Sequence, residues 1–237
     1  MCASCPPIGA GRRRVLAAGL GLIGAAALPG APAGAQTVTR AADTPGAALQ
    51  RLAAGNARYV ANAPTQHDFS VGRVARASGQ APYAAVLGCA DSRVAPELVF
   101  DEEPGNLFVV RVAGNFVNDD GMASLEFGAA VLGTRAILVL GHTECGAVNA
   151  TVSALQESGG AAPPGRIAGL VARMKPGIEP ALQGGGDVTR RALEANVRHA
   201  VEKLRTGSPV LSPLIGRGEL EVRGGVYDLA TGRVVML

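Results

Sequence analysis

Hydrophobic positions along the chain alternate between two kinds of pattern. Residues 46–60 place Leu49, Leu52 and Ala53 on one face of a helix. Residues 61–80 are polar and are expected to run over the surface or along a partner. Three short apolar runs follow, at Tyr83–Gly88, Leu107–Val112 and Ala136–Gly141. Between the last two, residues 121–132 carry Leu125, Ala129 and Leu132 in helical register. Residues 157–187 are rich in Gly and Pro, with one short helix expected near 166–174. Asp187 or Thr189 can cap a longer helix to Leu204, with Leu193, Val197, Val201 and Leu204 on one side. The tail from Glu219 alternates like strands around a turn at Thr231-Gly232. Continuous apolar runs separated by helices predict an α/β fold, a central, mostly parallel β-sheet flanked by helices.

The first 35 residues follow a different rule. Arg12, Arg13 and Arg14 precede an uncharged run, Val15 to Leu28, closed by Pro29 and then by Ala33-Gly34-Ala35. A spanning helix needs about 20 apolar residues, and this run is shorter and broken by glycine. The pattern predicts a signal peptide over 1–35, cut after Ala35; its paired arginines resemble a twin-arginine signal. The expected product is a periplasmic or secreted domain over 36–237 with no stable membrane anchor. The alternatives are an uncleaved anchor or a start site placed too early. Cys2 and Cys5 form a lone CxxC inside this segment, a weak metal or redox signal.

Composition narrows the field further. Of 237 residues 48% are hydrophobic and 17% charged, which excludes a solvated, disordered chain. Aromatic residues are 3%, so the core must be built from Ala, Val and Leu. The net charge of +3 comes from the three arginines of the leader; the remainder is balanced and shows no basic stripe to grip phosphates. Nucleic acid is therefore not an expected partner.

Two of the apolar runs end in side chains that ligate metals. Tyr83–Gly88 runs into Cys89-Ala90-Asp91-Ser92-Arg93, and Ala136–Gly141 runs into His142-Thr143-Glu144-Cys145. In open parallel sheets such residues collect at the carboxyl ends of strands, so the two segments can meet. Thiolate, imidazole and carboxylate together suit Zn²⁺. Asp91 could ligate the metal or pair with Arg93, which would make a gated site. Cys89 and Cys145 are the two cysteines after residue 35, and an oxidising compartment also allows a disulfide between them. His67 and His199 carry no spacing signal and are read as solvent-facing or internally satisfied.

The segments Cys89-Ala-Asp91-Ser-Arg93-Val, Phe-Val-Val-Arg111-Val-Ala-Gly114-Asn115 and Gly141-His142-Thr-Glu-Cys145-Gly-Ala, in that order, resemble the β-class carbonic anhydrases. Gly55-Asn56-x-Arg58-Tyr59 and Tyr227-Asp228-Leu-x-Thr-Gly232 extend the likeness. Ala90 departs from the serine of many members. The resemblance implies one Zn²⁺ per chain held by Cys89, His142 and Cys145, with Asp91 or water in the fourth position. It implies Asp91 and Arg93 as a catalytic dyad in the reversible hydration of CO₂ to bicarbonate by zinc-bound hydroxide. It also implies a homodimer or tetramer in which N-terminal helical arms embrace the partner. Gln80 and Phe108 fall where the family's substrate contacts reach in from the neighbouring subunit. Two thiolates would offset the charge of the ion, so activity is expected to rise into mildly alkaline pH. The same fold and ligands serve hydrolases of carbonyl sulfide or carbon disulfide. A non-catalytic, zinc-stabilised bicarbonate-sensing dimer is the other alternative, and the Asp91–Arg93 pair argues against it.

Overall fold

The computed structural model describes residues 42–70, 72–157 and 163–237. The predicted signal peptide and its CxxC lie outside the described residues. Five strands form one sheet: β1 (Ala84–Gly88), β2 (Leu107–Arg111), β3 (Ala136–His142), β4 (Glu221–Tyr227) and β5 (Val234–Met236). Their order is β2-β1-β3-β4-β5. All neighbours are parallel except β4 and β5. The three apolar runs are β1, β2 and β3, and the alternating tail is β4 and β5. Every residue of β1 and β3 is buried, which is why these segments read as unbroken hydrophobic runs.

Alternate side chains of β1 and β3 serve two cores. On one face Val86, Leu138 and Leu140 meet Ala48 and Leu52 of α1 (Pro45–Val60) and Val99 of α3 (Pro96–Val99). The short α2 (Arg73–Ser78) lies in the polar segment expected to run over the surface or along a partner. On the other face Leu87, Ile137 and Val139 meet Leu125 and Ala129 of α4 (Asp119–Ala130). The same core takes in Val197, Ala200 and Leu204 of α7 (Val188–Thr206) and Leu211 of α8 (Leu211–Gly216). A third cluster joins Cys89 and Cys145 to Val148 and Val152 of α5 (Gly146–Gln156), Met174 and Ile178 of α6 (Ile167–Ile178), and Leu193. It covers the carboxyl end of the sheet. Among the described residues no helix is long and apolar enough to cross a membrane.

Helix starts follow local chemistry. The side chains of Thr44, Asn118 and Asp187 each accept a backbone N–H three residues on, the N-cap interaction that satisfies otherwise orphaned donors. Asp187 is thus the cap of α7. Asn118 starts α4 two residues before the expected position. The helix expected at 166–174 runs on to Ile178 through Pro176.

The Gly55–Tyr59 motif holds α1 to the sheet. A Cβ on Gly55 would lie 1.8 Å from the Phe100 carbonyl oxygen, so only glycine permits this approach. The Asn56 amide donates to the carbonyls of Val99 and Gly232 and accepts from the Val234 N–H. Arg58 pairs with Asp101 at 2.5 Å, and the Tyr59 and Tyr227 hydroxyls are 3.2 Å apart.

Topology fixes where ligands can collect. The chain leaves β1 for β2 on one side and leaves β3 for β4 on the other. The loops after β1 and β3 therefore diverge, and a crevice opens at their carboxyl ends, the switch point of open α/β sheets. Gly88 is in register with Leu140, so Cys89 emerges level with the end of β3.

Candidate metal centre and active site

Cys89 follows the last residue of β1, His142 ends β3, and Cys145 immediately precedes α5. The two loops bring one donor atom of each within 4.8 Å of one another. All three residues are buried. Both cysteines are free thiols with the sulfurs 4.0 Å apart. The disulfide alternative is thus absent from this arrangement. His142 Nδ1 lies 2.8 Å from the Thr143 carbonyl oxygen. A carbonyl only accepts, so Nδ1 carries the proton and Nε2 keeps its lone pair. Nε2 is buried and without a hydrogen-bond partner. A buried orphan acceptor beside two buried sulfurs is costly unless something binds there.

Donor chemistry settles which ions fit. Two sulfurs and one imidazole nitrogen form a soft-to-borderline set that matches zinc and disfavours the hard cations calcium and magnesium. The outer partners match as well. His142 is oriented through Nδ1, and the Gly114 N–H donates to the Cys89 sulfur at 3.2 Å. Hydrogen bonding by the Cys145 thiol, helped by the Gly114 N–H, overcomes burial and moves the Cys89 thiol downward. Cys145 moves upward, because it donates to Cys89 and is buried.

Asp91 stands at the mouth. One carboxylate oxygen accepts from the Arg93 backbone N–H and Nε, each at 2.9 Å; the other accepts from Nη2 at 2.7 Å. That second oxygen is 3.8 Å from His142 Nε2. Asp91 therefore lies against the donor cluster while being held by Arg93. Hydrogen bonds from Arg93, opposed by partial burial, hold its carboxyl well below the usual carboxylate range. Arg93 also donates to the Glu144 carbonyl at 3.2 Å, tying the Cys89 loop to the His142 loop.

The structure brings Cys89, Asp91, Arg93, His142 and Cys145, all expected from the sequence at strand ends, into one crevice. Sequence reasoning assigned no role to Arg111, whose guanidinium donates to the carbonyls of Cys89 and Asp91 at 2.9 and 2.7 Å. A charged residue near the end of the apolar run Leu107–Val112 was the available signal; its register beside Gly88 is visible only in the fold. Gln80 and Phe108 are not brought to the cluster within this chain. Gln80 is exposed before β1. Phe108 pairs in register with Ala85, near the amino end of the strands, and its ring lies 6.4 Å from that of Phe127. His67 is internally satisfied, between Asp101 and Glu103.

Comparison with known proteins agrees with this geometry. A model of the carbonic anhydrase family matches residues 84–234, a span that begins at β1, includes Phe108 and leaves Gln80 outside. Carbonic anhydrase 2 of Mycobacterium tuberculosis is 40% identical over 196 residues, covering 81% of this chain and 92% of its own. The structure of the Coccomyxa β-carbonic anhydrase in complex with acetazolamide aligns with a TM-score of 0.60 at 29% identity, over 80% of this chain and 81% of that one. The tetrameric β-carbonic anhydrases of Sordaria macrospora align with a TM-score of 0.60 at 26% identity, over 70% and 86%. The chain belongs to the β-class carbonic anhydrases and is an enzyme of that family, whose chemistry is the hydration of CO₂.

Proposed function

We propose that this protein catalyses the zinc-dependent, reversible hydration of CO₂ to bicarbonate and a proton. Cys89, His142 and Cys145 are the residues that would hold the ion, and Asp91 and Arg93 form the catalytic pair. The observation that carries this reading is the unpartnered His142 Nε2, buried beside two thiols and 3.8 Å from a carboxylate that Arg93 holds.

Zinc bound there supplies Lewis acidity, which makes water nucleophilic near neutral pH. The protein supplies orientation. Asp91 accepts a hydrogen bond from the attacking water at the oxygen facing His142. Arg93 keeps that carboxylate ionised, so it orients the nucleophile without retaining its proton. In this reading the proton passes to solvent buffer. Arg111 fixes the backbone that carries Cys89 and Asp91. Apolar side chains of α5 and α6 keep bulk water off the sulfurs.

Gln80 and Phe108 act, in this reading, as substrate contacts offered to a neighbouring subunit. Their separation from the metal cluster of their own chain supports that role, and the assembly is a homodimer or tetramer. The domain is exported by a twin-arginine-type signal over residues 1–35; a mature protein whose sequence starts at Met1 contradicts export. The central test is zinc content per chain together with stopped-flow CO₂ hydration, run beside a sulfide-release assay with carbonyl sulfide. About one zinc per chain with fast hydration and negligible sulfide supports the reading. Zinc without hydration refutes it.

A further inference from the structure

We infer that Asn196, on α7, is a positioning residue for the metal centre: it holds the Gly114 turn so that the Gly114 N–H stays aimed at the Cys89 sulfur. The inference rests on the proposed zinc ligation by Cys89.

Asn196 lies in the middle of the apolar face of α7, between Ala192, Leu193, Val197 and Ala200. It is 2% exposed. A polar amide on such a face is costly unless it is bonded, and an aliphatic residue would pack there without that cost. Its Nδ2 donates to the Gly114 carbonyl at 2.8 Å. On the other side of the same Cα, the Gly114 N–H donates to Cys89 Sγ at 3.2 Å. Gly114 has a φ of +82°, and a Cβ there would lie 2.5 Å from Met174 Sδ. Glycine is thus required at this position, and glycine does not hold its own dihedrals. The Asn196 amide supplies that restraint through the Gly114 carbonyl.

The consequence is electronic. Two thiolates neutralise a divalent ion, and a hydrogen bond to one sulfur withdraws part of the density it would donate. The ion then remains a stronger Lewis acid than the ligand set alone provides. Without Asn196 the turn relaxes, the N–H···S bond lengthens, and Cys89 becomes a stronger donor.

The test loads the protein with cobalt(II) and records the thiolate-to-cobalt charge-transfer absorption. Asn196→Leu removes the donor. Asn196→Ala also removes the donor without added bulk and serves where the leucine variant fails to fold. Leu204→Ala opens a cavity two turns further along the same helix and controls for loss of stability. The expected result is a shift of the band to longer wavelength in the Asn196 variants, none in Leu204→Ala, and a fall in CO₂ hydration of roughly 10-fold in the zinc-loaded Asn196 variants. An unmoved band in the Asn196 variants overturns the inference. So does an equal shift in Leu204→Ala, which makes the change one of general loosening. A wild-type protein with no thiolate band at all overturns the ligand assignment itself, and the inference with it.

Discussion

Two buried polar clusters in this domain are built on opposite principles. At the foot of α1, the carboxylates of Asp101 and Glu102 are almost wholly buried. Asp101 accepts from Arg58, from the Thr65 N–H and hydroxyl, and contacts His67. Glu102 accepts two bonds of 2.7 Å from Arg51, one from the Tyr83 hydroxyl and one from Asn106. In the crevice beyond β1 and β3, by contrast, His142 Nε2 has no partner and two free sulfurs stand 4.0 Å apart. Satisfied lone pairs hold a chain together; convergent unsatisfied ones await a ligand. Burial is similar in both places, so partner count is what separates scaffold from site.

Removing one donor from the crevice should have the largest effect. Cys145→Ser is expected to lower zinc from about one per chain to near zero and to abolish CO₂ hydration, because a neutral hydroxyl is a poor replacement for a thiolate ligand. Elemental analysis with stopped-flow kinetics checks this; full zinc content in the variant would erase the distinction between the clusters. Next comes the side chain at the mouth. Arg93→Ala should leave zinc bound while turnover falls by about 100-fold, the scale of a mispositioned proton-handling group. Parallel loss of zinc and activity would instead make Arg93 structural.

The sequence exposed the crevice better than the scaffold cluster, for a physical reason. Metal donors are scarce residue types at strand ends, and Cys89, His142 and Cys145 stand out against apolar runs. The same runs fixed β1 and β3, whose full burial is a one-dimensional pattern. Strand order is not such a pattern, and neither is the register that sets Gly88 beside both Leu140 and Arg111. α5 went unread because nothing marks its start except Cys145, already assigned to chemistry. α2, α3 and α8 are only four to six residues long, too short to show a period. Asn196 and Gly114 meet only through the packing of α7, 82 residues away along the chain. Asp101 and Glu102 carry no distinguishing mark in the sequence, because their partners Arg58 and Arg51 sit on a distant helix.

The scaffold cluster should fail through stability while activity is retained. Arg58→Ala leaves the Asp101 carboxylate buried with fewer donors. It is expected to cost about 1.5–3 kcal/mol, the range for a hydrogen bond to a charged group. Thermal or urea unfolding of the zinc-loaded protein measures this, and kcat per zinc should stay near the wild-type value. A variant that unfolds normally but turns over slowly would place this cluster in the active machinery.

The smallest expected effect is a change in how stability depends on pH. Burial alone would raise the Asp101 carboxyl, but Arg58, Thr65 and His67 outweigh it and hold the group well below the usual carboxylate range. A carboxyl with a folded pKa below its unfolded value of about 3.9 binds protons more readily when unfolded. Its stabilisation is complete above about pH 5, and is lost as pH falls through 4 toward the folded value. Arg58→Ala moves the folded pKa back toward the ordinary one, so the variant has less to lose on acidification. The stability gap between wild type and variant should therefore be widest at neutral pH and narrow by about 1 kcal/mol between pH 6 and pH 3. Asp91 and the other shifted carboxyls are common to both proteins and cancel in this difference. A gap that stays constant with pH would mean that Arg58 acts on Asp101 only by packing, and that the scaffold cluster is held by its neutral donors.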